Sequence, residues 1–133
     1  MEPYIHSVKY YETDKMGITH HSNYIRWMEE ARIDLLRQAG LDYADLEKEG
    51  IVSPVVEVNC KYKKSTTFGD TIAISVSAEK YNGLKLVLKY EMKNEEGSIV
   101  AEGHSTHCFF SSEGKMLRLP KQFPELHETL ASL

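Results

Sequence analysis

The chain is predicted to be α+β, an antiparallel sheet wrapped around one long central helix. Two patterns predict it: apolar residues recur with helical period from Asn23 to Ala39, and from Pro54 to Phe110 the period is two. At 133 residues the chain has room for one domain, so residues 1–133 are read as a single unit with one core. No internal repeat, low-complexity run or linker argues for a second.

The elements follow in order. Residues 3–11 alternate as a strand, with Tyr4, His6, Val8 and Tyr10 on one face. Gly17 lets the chain turn, and Ser22 or Asn23 is a good N-cap for the helix. Tyr24, Met28, Ala31 and Leu35 form the apolar stripe, Trp27, Leu36 and Ala39 widen it, and Gly40 ends it, giving a helix of about 25 Å. A short helix is expected over residues 41–48, capped by Asp42 and closed by Gly50. Val56, Val58, Cys60 and Tyr62 then share a strand face. Ile72, Ile74, Val76 and Ala78 follow the Phe68-Gly69-Asp70 turn, and Leu84 to Met92 follow the Asn82-Gly83 hairpin signal. Residues 98–110 read as one long last strand, so the four strands form a meander. The tail from Arg118, with Pro120 and Pro124, is expected to hold no more than a helical turn or two.

A net charge of -4 and a pI of about 5.9 argue against a nucleic-acid protein, which needs a basic stripe along its surface. Lys61, Lys63 and Lys64 form a local cluster able to meet a small phosphorylated ligand, or simply a solvated strand end. Cys60 and Cys108 lack metal-like spacing and sit in strand-like segments as small core residues. With no apolar leader and no stretch long enough to span a membrane, the chain is read as cytoplasmic.

The chemistry concentrates between Tyr10 and Tyr24, where an acid, a glycine turn and a helix start follow one another. A helix N-terminus offers unpaired N–H groups and partial positive charge, so Asp14 and an oxyanion-stabilising site could face each other, as acyl transfer requires. Asp14 can equally be a turn residue capping its own backbone. His20 and His21 could join Asp14 around a metal, although adjacent ring nitrogens rarely converge without further ligands. No Gly-x-Ser-x-Gly elbow is present, which disfavours a serine acyl-enzyme.

Asp14-x-x-Gly17, His21-x-Asn23-Tyr24, Trp27 and Glu30 together resemble the signature of the 4-hydroxybenzoyl-CoA thioesterase family. The adjacent histidines and the Glu-Glu-Ala-Arg run are similar to its YbgC-like acyl-CoA thioesterases. The resemblance implies the hotdog fold, and an acyl-CoA thioesterase that releases free acid and coenzyme A. Asp14 would be nucleophile or general base, the backbone N–H of His21 would polarise the carbonyl, and Tyr10 would line the same pocket. Histidine at position 21 is the YbgC-like choice and points away from a hydroxybenzoyl substrate. Gly17, Asn23 and Tyr24, which also cap and pack the helix, join Lys63 and Lys64 as candidate substrate-binding residues. No cofactor or metal is required; an acyl carrier protein could present the same thioester. A homodimer, or a dimer of dimers, with sites at the subunit interface is implied. The alternatives are a hotdog dehydratase or hydratase, using a histidine and an acid as a proton-transfer pair, and a non-catalytic acyl-CoA-binding protein.

Overall fold

A computed structural model describes residues 1–133. After strand β1 (Tyr4–Ser7) and a 3₁₀ turn (Tyr10–Glu12) comes helix α1 (Ser22–Gln38), then α2 (Tyr43–Lys48). Strands β2 (Ile51–Val52), β3 (Val55–Tyr62), β4 (Thr71–Tyr81), β5 (Lys85–Lys93), β6 (Ile99–Cys108) and β7 (Phe110–Ser111) follow. Helices α3 (Leu119–Gln122) and α4 (Pro124–Ala131) end the chain.

The helix expected over residues 23–39 is α1, 17 residues long and the longest of four. Its stripe is buried: Trp27, Met28, Ala31 and Leu35 join Ile72, Ile74, Leu88, Met92 and others in one core of 22 residues. Burying a large side chain of this kind contributes about 1.5–3 kcal/mol, so this stripe decides which face of α1 meets the sheet. The short helix expected after it is present as α2, with Asp42 Oδ1 accepting from the Ala44 N–H at 2.9 Å.

The four strands expected as one meander do not form it: β4, β5 and β6 do, but β3 does not lead into β4. The sheet runs β1-β4-β5-β6-β3, all neighbours antiparallel, so β3 pairs with β6 and not with the β4 that follows it. Local alternation identifies strands but not their partners. The β3–β4 connection must therefore cross the sheet, and it does so beside the start of α1. Three other expectations also change. The first strand stops at Ser7, and Tyr10–Glu12 coils into the 3₁₀ turn. The long last strand breaks at Phe109, and β7 pairs with β2 in a separate two-stranded ribbon. The tail holds more than the turn or two expected: α3 has 4 residues and α4 has 8, and Leu119, Leu126 and Leu130 are core residues.

One close approach fixes how α1 sits on the sheet. Gly103 of β6 stands where an added Cβ would collide with the Asn59 carbonyl oxygen of β3 and lie 2.7 Å from Met28 Cε of α1. Backbone cannot move aside as a flexible side chain can. Gly103→Ala is therefore expected to destabilise the protein by about 1–3 kcal/mol or more, read as a lower midpoint in urea unfolding.

Candidate active site

The site is built on a turn and a helix start that share hydrogen bonds. Residues 13–19 form a small hairpin, closed by a bridge between Thr13 and Thr19 and by the Asp14 N–H donating to Ile18 O at 2.9 Å. Gly17 turns it with φ of +80°, a region that side-chain-bearing residues rarely adopt. Asp14 Oδ1 accepts from the Met16 N–H at 2.8 Å, so one carboxylate oxygen does the turn-capping work expected of an Asp here. Its other oxygen, Oδ2, makes no hydrogen bond within the chain. The helix begins one residue before Asn23: His21 is the N-cap and Ser22 the first helical residue. The His21 N–H has no acceptor within the chain, whereas its carbonyl accepts from the Tyr62 hydroxyl at 3.1 Å.

A buried acid welds the turn to the helix. Glu12, 6% exposed, accepts from the Lys9 N–H at 2.8 Å and Trp27 Nε1–H at 2.7 Å, and its Oε1 lies 2.9 Å from His6 Nε2. A carboxylate can only accept, so His6 donates there. Burial pushes the Glu12 carboxyl up, but the bonds from Lys9, Trp27 and His6 outweigh it and hold the group below the usual carboxylate range. The main-chain carbonyl of Glu12 accepts from the His20 N–H and from Asn23 Nδ2.

The crossing connection supplies the third wall. Thr19 N–H donates to Thr66 O at 2.8 Å, Thr19 Oγ1 lies 2.6 Å from Thr66 Oγ1, and the Tyr24 hydroxyl lies 3.0 Å from that same oxygen. Thr67 Oγ1 donates to Gly17 O. Between turn, helix start and connection lies a cleft of about 270 Å³ lined by residues including Asp14, Ile18, His21, Tyr24, Tyr62 and Lys64. The Tyr24 and Tyr62 rings meet edge to face at 5.0 Å.

Of the predicted site residues, Asp14, His21, Tyr24, Lys63 and Lys64 are brought together here. Three are not. Tyr10 is 73% exposed and packs on Phe68, because the 3₁₀ turn ends the strand alternation that would have aimed it inward. Asn23 is buried, and its amide is committed to the Glu12 and His20 carbonyls. Gly17 shapes the turn without lining the cleft. Lys63 lines it with its charge engaged by Glu102 at 3.1 Å, while Lys64 has no ion pair. The sequence marks Tyr62 only as a strand residue, and its place as the last residue of β3, immediately before the lysines, is the signal that could have found it. Burial pushes the Cys60 thiol up, away from the reactive thiolate. No three His, Cys, Asp or Glu side chains converge as an ion-binding set.

Comparison with known proteins agrees with this architecture. The thioesterase-like superfamily model matches residues 8–131, so the chain belongs to that family, and with it to the thioester hydrolases as a class. Its fold is accordingly of the hotdog type. A putative acyl-CoA thioesterase of Bacillus subtilis, YneP, is 40% identical over 90% of this chain and 88% of its own length. A DHNA-CoA thioesterase of Staphylococcus aureus superposes with a TM-score of 0.95 at 38% identity, covering 98% of this chain and 89% of that one. The YbgC acyl-CoA thioester hydrolase of Escherichia coli is 25% identical over 71% of both chains.

Replacing Glu12 by Gln puts an amide N–H where only donors face it, and a loss of about 2–4 kcal/mol is expected by chemical denaturation. Because the folded-state value lies below the unfolded one, the stability Glu12 contributes is present above the ordinary carboxylate range. It is lost as pH falls through the depressed value. Glu12→Gln is expected to flatten that acid limb in a stability–pH series.

Proposed function

We propose that the protein is an acyl-CoA thioesterase in which Asp14 delivers oxygen to the thioester carbon and the His21 N–H stabilises the carbonyl oxygen. The observation that carries the reading is that both groups line one cleft, one with a free carboxylate oxygen and the other with a free N–H at the start of a 17-residue helix. Negative charge developing on the carbonyl oxygen meets the partial positive end of α1, and one such donor is worth about 3–4 kcal/mol in a water-poor site. The names of the relatives, acyl-CoA thioesterase and DHNA-CoA thioesterase, support coenzyme A as the leaving group. Lys64, at the cleft with its charge unpaired, is the candidate phosphate contact, and Lys63 is the weaker one because Glu102 already holds it.

The whole chain acts as one thioesterase domain, with no cofactor, in the cytoplasm, and as a homodimer or dimer of dimers. β3 is an edge strand whose apolar residues stay open, Val55 and Val56 at 52%. Such an edge calls for a partner, and a second copy pairing there would also narrow the Asp14 cleft.

Thiol release from a panel of short, long and aromatic acyl-CoAs tests the chemistry. Asp14→Asn keeps the oxygen that accepts from Met16, so the turn is expected to survive while kcat falls about 10²–10⁴-fold. Retained turnover in the folded variant would exclude Asp14 as the acting group. Lys64→Ala is expected to raise KM for acyl-CoA several-fold, with a smaller effect from Lys63→Ala.

A further inference from the structure

Two buried polar groups behind α1 lack partners. Arg32 is 5% exposed, yet it makes no hydrogen bond or ion pair with any residue; its guanidinium carbon lies 5.4 Å from the Tyr43 ring centroid. His107, 1% exposed on β6, has its Nε2 2.7 Å from Ser105 Oγ, which in turn lies 2.6 Å from the Tyr90 hydroxyl. Its Nδ1 meets no partner. Buried polar atoms are normally paired, and a nearly buried cation without counter-charge is costly; His107 Nδ1 is sealed off, whereas no Arg32 nitrogen is, so Arg32 is the group open to a partner this chain does not itself supply. Burial, with the Arg32 charge adding to it, holds the imidazole down to about 4; the Ser53 backbone lies near enough to oppose this slightly without completing a bond at Nδ1.

Both residues line a cleft of about 270 Å³ whose walls include Ile25, Met28, Val55 and Val58, with Arg26 and Glu29 as its other charged residues, Glu29 forming no ion pair with Arg32. That cleft and the Asp14 cleft share no lining residue, but each is walled by α1 on one side and β3 on the other. One uses Tyr24 of α1 and Tyr62 at the end of β3, the other Met28 and Arg32 further along α1 and Val55 at the start of β3. Helical side chains lean toward the N-terminus, so the Arg32 head lies roughly 10 Å along the axis from His21, the reach of a medium-length acyl chain.

We propose that the α1–β3 seam is the acyl groove, that Arg32 binds a carboxylate at its far end, beside His107, and that the substrates are coenzyme A half-thioesters of dicarboxylic acids. The proposal rests on the thioesterase reading. A terminal carboxylate supplies the counter-charge that Arg32 lacks. His107 Nδ1 is sealed from the cleft, and the imidazole, held neutral, lines the site without a second positive charge. A plain acyl chain leaves Arg32 unpaired, which is the situation in which a site rejects the analogue lacking the polar group.

Two measurements on the full chain test this. The first is thiol release from suberoyl-CoA against octanoyl-CoA by wild type and Arg32→Met. Wild type is expected to favour suberoyl-CoA by about 10-fold or more in kcat/KM, and Arg32→Met to erase the preference. Equal values for the two thioesters, or a preference that survives the substitution, overturns the proposal; the wild-type comparison decides even where Arg32→Met fails to fold. The second is calorimetric binding of free suberate against octanoate, which needs no turnover. Suberate binding without any thiol release would keep the carboxylate site and refute the hydrolytic reading. Cleavage of octanoyl-CoA without suberate binding would refute the carboxylate site and leave the hydrolytic reading standing.

Discussion

The arrangement of this molecule depends on a carboxylate that has been taken out of water. Glu12 sits under the 3₁₀ turn with donors from the main chain, from β1 and from α1 directed at its two oxygens. Burial alone would favour the neutral acid, but three donors reverse that, and the charge in turn fixes where those donors lie. Because Trp27 is fully buried and sits a turn and a half into α1, the bond from its indole sets the position of the helix relative to the turn.

The remaining site geometry follows from that weld. The Glu12 carbonyl holds the His20 N–H and the Asn23 amide, which orients the first residues of α1 and leaves the His21 N–H facing outward without an acceptor. The Asp14 hairpin hangs between Glu12 and Thr19, and the Thr19–Thr66–Tyr24 hydroxyl cluster ties it to the connection between β3 and β4. That connection passes here because β3 lies at the far edge of the sheet from β1, beyond β6, while β4 lies beside β1. The order of strands is thus what brings Tyr62, Lys63 and Lys64 to the acid.

α1 divides the polar chemistry of the protein into two regions. At its N-terminus the groups are partly open to solvent and one oxygen and one N–H are left unengaged. Along its middle Tyr90, Ser105, His107 and Arg32 are nearly buried and share a cleft with apolar Ile25, Met28, Val55 and Val58. The first region has the openness that acyl transfer from a large thiol carrier demands. The second has the low local dielectric in which a single unpaired charge weighs heavily.

By itself the sequence determined what depends on neighbours along the chain. The stripe Tyr24, Met28, Ala31 and Leu35 gave α1, Asp42 gave the cap of α2, Asn82-Gly83 gave the β4–β5 turn, and Asp14 to Gly17 gave the turn that carries the acid. Tertiary structure alone decided what depends on residues far apart. Glu12 reads as one more polar residue in Glu-Thr-Asp until Trp27 and His6 close over it, and Arg32 reads as a helix-surface charge until the fold leaves it 5% exposed with its guanidinium near the Tyr43 ring. Tyr10 shares its strand's alternation until Glu12 pulls the chain into a 3₁₀ turn. The reason is physical: periodicity is set by local backbone geometry, but which strand pairs with β3, and which polar side chain ends up without water, is set by contacts made only once the chain has closed on itself.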